Sequence, residues 1–71
     1  METIKLGSRG ESVKTLQTLL KSAGYNLQVD GMFGEITVEI VKLFQKKAGL
    51  KADGICGSKT WDALTSSKPA A

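Results

Sequence analysis

Asp30-Gly31-Met32-Phe33-Gly34-Glu35-Ile36-Thr37 returns later in the chain as Asp53-Gly54-Ile55-Cys56-Gly57-Ser58-Lys59-Thr60. Both stretches read D-G-x-x-G-x-x-T, and each runs into apolar residues at helical spacing. A fainter copy, Leu6-Gly7-Ser8-Arg9-Gly10-Glu11-Ser12-Val13, keeps the glycines but lacks the Asp and the Thr. Such periodicity is the primary clue to the fold, because each copy marks one structural unit. A glycine at positive φ lets the chain reverse without a Cβ clash. The Asp before it can accept hydrogen bonds from backbone amides two or three residues on. The second glycine suits the N-cap of the next helix, which puts the Thr in the first turn with its hydroxyl near other polar groups. The pattern predicts a stop, a bend and a helix start, three times over.

Outward from these turns, the spacing predicts three helices. Gly10 or Ser12 caps a first helix running to about Ala23, with Val13, Leu16, Leu19, Leu20 and Ala23 on one face and Gly24 ending it. Tyr25–Val29 alternates like a strand but is too short for a sheet of its own. A second helix spans about Glu35 to Lys47, with Gly49 beyond its end. Its apolar residues Ile36, Val38, Ile40, Val41, Leu43, Phe44 and Ala48 cover much of its girth, which predicts a central position between the other two. A third, short helix from about Ser58 to Leu64 turns Trp61 and Leu64 inward. The expected fold class is all-α, a compact three-helix domain over residues 6–65. An N-terminal arm (1–5) precedes it, and a small, polar, Pro-containing tail or linker (66–71) follows.

Composition excludes much. Seventy-one residues make one small domain with a limited core, so caps and turn hydrogen bonds carry a large share of its stability. The net charge of +3 comes from dispersed lysines, without the dense basic stripe of a nucleic-acid binder. Cys56 is the only cysteine and takes the place of Phe33 in the repeat, which marks it as a small core residue. No stretch is apolar enough to enter a membrane, and Met1–Lys5 carries no export signal. If Met1 is the natural start, export is not encoded in these residues; otherwise a preceding segment or a neighbouring domain is expected to supply it. The chain has no histidine, which removes zinc peptidase sites, Ser-His and Cys-His pairs and the usual general base. A glycosidase needs two carboxylates across a cleft, whereas Asp30 and Asp53 are committed to turns. A calcium loop fails because Met32, Phe33, Ile55 and Cys56 stand where oxygen ligands are needed. No enzyme activity, metal or other cofactor is expected.

The order Leu6-Gly7-x-x-Gly10-x-x-Val13-x-x-Leu16-Gln17, Gly24-Tyr25, Asp30-Gly31-x-Phe33-Gly34-x-x-Thr37, Val41-x-x-Phe44-Gln45, Gly49-Leu50, Asp53-Gly54-x-x-Gly57-x-x-Thr60-Trp61-x-x-Leu64 closely resembles the peptidoglycan-binding domain of the three-helix type. That module is attached to bacterial and phage cell-wall hydrolases. The resemblance implies a non-catalytic monomer that binds peptidoglycan, through glycan or stem peptide, and holds a hydrolase on the wall. It implies an extracytoplasmic or wall location, or a phage product made in the cytoplasm. The alternative on the same fold is a protein-interaction or pro-domain module.

Ligand contacts are expected at the turns. Met32 and Ile55 offer exposed apolar surface, while Phe33 and Cys56 point inward. Gly31, Gly34, Gly54 and Gly57 can expose amides. Asp30 and Asp53 shape one face of a common groove. Tyr25 is placed to stack on a sugar or to pack over a helix end, and Arg9 to pair with a carboxylate or stay solvated. Gln17 and Gln45 are expected to bond loop backbone rather than ligand, and Trp61 to belong to the core.

Overall fold

The computed structural model describes residues 3–65 and contains three helices, α1 (Glu11–Ser22), α2 (Glu35–Lys47) and α3 (Ser58–Thr65). The expected tail at 66–71 lies outside the described residues, as do the first two residues of the arm. Gly10 and Gly34 occupy the N-cap positions of α1 and α2, and the Gly57 carbonyl accepts the Trp61 N–H to open α3. Each helix therefore starts on the second glycine of its turn.

The first two helices end by one device. At the end of α1, the Gly24 N–H donates to the Lys21 carbonyl and the Tyr25 N–H to the Leu20 carbonyl. At the end of α2, Gly49 donates to Lys46 and Leu50 to Gln45 in the same pattern. This Schellman arrangement needs a left-handed residue, supplied by Gly24 (φ 105°) and Gly49 (φ 79°).

The core joins Ile4, Val13, Leu16, Leu20, Leu27, Phe33, Ile40, Val41, Cys56, Trp61 and Leu64. On α1, Val13, Leu16, Gln17 and Leu20 are buried, a stripe at three- and four-residue spacing. Ala23 is exposed and Leu19 only half-buried, so this stripe is narrower than the apolar pattern implied. The central helix is α1, not α2. It packs on both other helices, while α2 and α3 meet only weakly. The broad apolar girth of α2 is misleading because Ile36 (66% exposed) and Leu43 (57% exposed) face outward.

The turns are tied to one another rather than to a sheet. Among the described residues, β structure is confined to two isolated antiparallel bridges, Arg9 with Met32 and Ile4 with Cys56. The first turn grips the second through Gly7 N–H to Phe33 C=O, Phe33 N–H to Ser8 C=O and Gly10 N–H to Gly31 C=O. The arm grips the third through reciprocal bonds between Ile4 and Cys56, at 3.1 and 2.8 Å. Ile4 is 3% exposed and belongs to the core, so the arm contributes a packed residue.

Backbone conformation at the D-G step makes a sharp demand. Gly54 has φ +76°, and a Cβ there would sit 3.1 Å from Val38 Cγ1 and 3.3 Å from Lys42 Cε. Gly54→Ala should cost about 2 kcal/mol through left-handed strain and overpacking, read as a lower denaturant midpoint. Gly34→Ala should move that midpoint by less than about 0.5 kcal/mol equivalent, because Gly34 has φ −101° and open space around it. Equal losses at the two positions would contradict this assignment.

Candidate functional site

Each D-G turn is locked by a buried glutamine from the preceding helix. Gln17, 1% exposed, sits in the apolar stripe of α1 and reaches the second turn. Its Oε1 accepts the Gly31 N–H at 2.9 Å. Its Nε2 donates to Asp30 Oδ1 (3.0 Å), the Met32 carbonyl (2.9 Å) and Thr37 Oγ1 (3.3 Å). Two amide hydrogens serve three acceptors, so the longest contact is a shared one. The Asp30 carboxylate also accepts the Met32 N–H, which closes the expected Asx turn.

The second copy repeats this bond for bond. Gln45 Oε1 accepts the Gly54 N–H, and its Nε2 donates to Asp53 Oδ1, the Ile55 carbonyl and Thr60 Oγ1 at 2.9–3.1 Å. Asp53 accepts the Ile55 N–H. Lys14 and Lys42, each three residues before its glutamine, lay their stems over Gly31 and Gly54. Among the described residues, no buried side-chain nitrogen or oxygen lacks a partner. Glutamine is costly to bury unless fully bonded, and here each one is.

The clamps set the charge state of the turns. The Met32 N–H and then Gln17 hold the Asp30 carboxyl below its usual range, and the Ile55 N–H leads the same effect at Asp53. A carboxylate with a lowered folded pKa stabilises the fold above its unfolded pKa of 3.8 and loses that contribution as pH falls through the folded value. The melting temperature should therefore hold steady above about pH 5 and fall below about pH 4. The double variant Asp30→Asn/Asp53→Asn should show a shallower acid limb. An acid limb as steep as that of the parent would contradict this role.

Around the clamps lie two separate grooves, one for each turn, rather than the single shared groove expected. The larger, an open concavity of about 1240 Å³, runs between the Asn26–Asp30 segment and the start of α2, and Gln17 and Lys21 also line it. Val29 (39% exposed), Met32 (54%) and Ile36 (66%) supply its apolar surface. The smaller, about 480 Å³, lies between Gly49–Asp53 and the start of α3 and includes Ile55 (39% exposed). The size difference has a local cause. Gln17 is separated from Asp30 by 13 positions but Gln45 from Asp53 by 8, so the first copy has five extra. They form a further turn of α1 and a longer return loop, which together wall the large groove.

The candidate residues divide accordingly. Asp30, Met32 and Gly34 line the large groove, and Asp53, Ile55 and Gly57 the small one. Gly31 and Gly54 are buried, and their amides are already donated to the glutamines, so neither offers an N–H to a ligand. Tyr25 is half-buried against the core and Arg9 is exposed on the first turn; neither lines a groove. Phe33, Cys56 and Trp61 are core. Groove residues not singled out as ligand contacts from sequence include Val29, Ile36, Lys21, Lys51 and Lys59, together with Asn26, Gln28, Glu35 and Ser58. An apolar residue at the helix position before the repeat Thr was the available signal for Ile36.

Three helices strung on glutamine-clamped turns, with binding-sized grooves at the rim, define a small recognition module. The chain belongs to the family described as "Putative peptidoglycan binding domain", whose model matches residues 9–64. It is 46% identical over 71 residues to a "Probable N-acetylmuramoyl-L-alanine amidase" of Bacillus licheniformis, covering 96% of this chain and 20% of that protein. Among solved structures, the Burkholderia AP3 phage endolysin superposes with a TM-score of 0.92 at 43% identity, covering 96% of this chain and 26% of the endolysin. The SleB N-terminal domain superposes at 0.89 with 42% identity, covering 93% of this chain and 92% of that one. The chain thus spans about a fifth of the length of the amidase it matches.

Proposed function

We propose that this chain is a non-catalytic module that binds peptidoglycan through the large groove and retains a cell-wall hydrolase on its substrate. The carrying observation is the exposed apolar set Val29, Met32 and Ile36 on a floor that the Gln17 clamp makes rigid. Shallow sites combine such apolar contact with a few polar groups, here the Asp30 carboxylate held by Gln17 and the Met32 N–H, with Asn26 and Gln28 on the lining. Rigidity matters because ordering a loop on binding would subtract from affinity.

The titratable groups speak against catalysis by this chain. The Asp30 and Asp53 carboxyls are held low, the opposite of a general acid, which needs a raised pKa near neutrality. Burial pushes the Cys56 thiol up to about 12, the opposite of an activated nucleophile. The relatives named as an amidase and an endolysin contain this unit as 20% and 26% of their length, which supports an attached role. The module acts as a monomer, outside the cytoplasm, joined to or associated with the hydrolase it serves.

The test is pelleting of the full 71-residue chain with purified sacculi. Retention in the pellet without release of soluble muropeptides is the expected result. A chain that stays in the supernatant, or one that solubilises wall material, contradicts the proposal.

A further inference from the structure

The clamp residues are the same in the two copies, but the residues facing the grooves are not. With the copies aligned on their aspartates, Gln28, Glu35 and Ile36 correspond to Lys51, Ser58 and Lys59. All six line their grooves, and each exchange moves local charge in the positive direction. The large groove sets Asp30 and Glu35 against one ammonium, that of Lys21. The small groove sets Lys51 and Lys59 against Asp53 alone. The Asp53 carboxylate is engaged by the Ile55 N–H and Gln45 Nε2 and feels the nearby charge of Lys51, while both lysines are exposed to solvent.

We propose that the small groove is a second, carboxylate-selective subsite, in which Lys51 and Lys59, lining it together with the apolar Ile55, take a free carboxylate of the wall's stem peptide. This rests on the wall-binding reading above and extends it to two points of attachment. A short peptide bearing a carboxylate matches a groove that offers two ammonium groups and one apolar contact. The large groove, with its excess of carboxylates, is the wrong place for that group and the better place for sugar or for an amine of the peptide. The first turn ties the second, and the arm ties the third, through backbone bonds, so both grooves ride on one packed body. The second contact is then intramolecular and raises avidity beyond either groove alone.

The experiment uses a labelled disaccharide-tetrapeptide with free carboxylates and the same compound with every carboxylate amidated. Both are titrated against the full chain, Lys51→Gln/Lys59→Gln and Met32→Asp/Ile36→Asp. The wild type should prefer the free form by roughly threefold to tenfold at low salt, the effect of two partly exposed ion pairs. That preference should vanish in the lysine variant and at high salt, with amidated-ligand affinity unchanged. Equal wild-type affinity for the two ligands, with both lost in Met32→Asp/Ile36→Asp, overturns the second subsite and leaves the wall-binding reading standing. Competition by glycerol phosphate oligomers but not by the free-carboxylate ligand overturns it in favour of a phosphate polymer. A wild type that binds neither ligand removes both readings.

Discussion

Gln17→Leu should lower the stability of this domain by about 3 kcal/mol or more, although leucine fits the helix and the surrounding apolar stripe. The substitution strands the buried Gly31 N–H, which has Gln17 Oε1 as its acceptor, and removes the donor to the Met32 carbonyl, Asp30 and Thr37. An orphaned buried backbone donor costs about 1–3 kcal/mol, and the lost hydrogen bonds add about 1 kcal/mol each. For a domain of this size each kcal/mol moves the melting temperature by about 4–8 °C, so a fall of roughly 12–24 °C is expected. Gln45→Leu should fall by nearly the same amount, because its partners are the same residue types at similar distances. Thr18→Ala, on the exposed side of α1, serves as the control and should change little. A Gln17→Leu melting temperature within a few degrees of the parent would show that the clamps are not what holds the turns.

Met32→Asp/Ile36→Asp should leave the fold intact and reduce retention on sacculi at least tenfold. Both side chains are more than half exposed, so charging them costs the fold little, within about 1 kcal/mol in total. Binding loses the apolar surface of the large groove and gains two charges beside Asp30 and Glu35. A tenfold loss corresponds to about 1.4 kcal/mol, modest for two apolar contacts and new repulsion together. Leu43→Asp provides the matched control, since Leu43 is as exposed but lines neither groove. Helical circular dichroism should match the parent in both variants, with the melting temperature lower by no more than about 8 °C. Retention that survives Met32→Asp/Ile36→Asp but not Leu43→Asp would move the binding surface to the outer face of α2.

Much of this arrangement is readable from the residues. The second D-G-x-x-G-x-x-T turn and Gly49 locate the start and the end of α2, and the repeat register separates outward Met32 and Ile55 from inward Phe33 and Cys56. Gln17 was the informative oddity. It follows a core residue on its helix and is expected to bond loop backbone, and it does bond the Gly31 N–H and the Met32 carbonyl. Other features depend on long-range packing that periodicity does not encode. Ile36 and Leu43 fit the apolar pattern of α2, yet no other helix covers them, so α1 takes the centre instead. Ile4 lies in a short polar arm, and only its pairing with Cys56 across nearly the whole chain buries it. The division into two grooves follows from the five extra residues between glutamine and aspartate in the first copy, whose consequence appears only once both turns are closed.

The central claim is that the clamped rim of the turns, and not an outer helix face, holds wall polymer without cutting it. Residue-resolved amide NMR of the chain titrated with an unlabelled soluble muropeptide tests it most directly. The account predicts saturable shifts concentrated at Asn26–Thr37, with weaker ones at Lys51–Thr60 and an unchanged muropeptide spectrum. Shifts confined to the exposed face of α2 around Leu43, or fragmentation of the muropeptide, would contradict it.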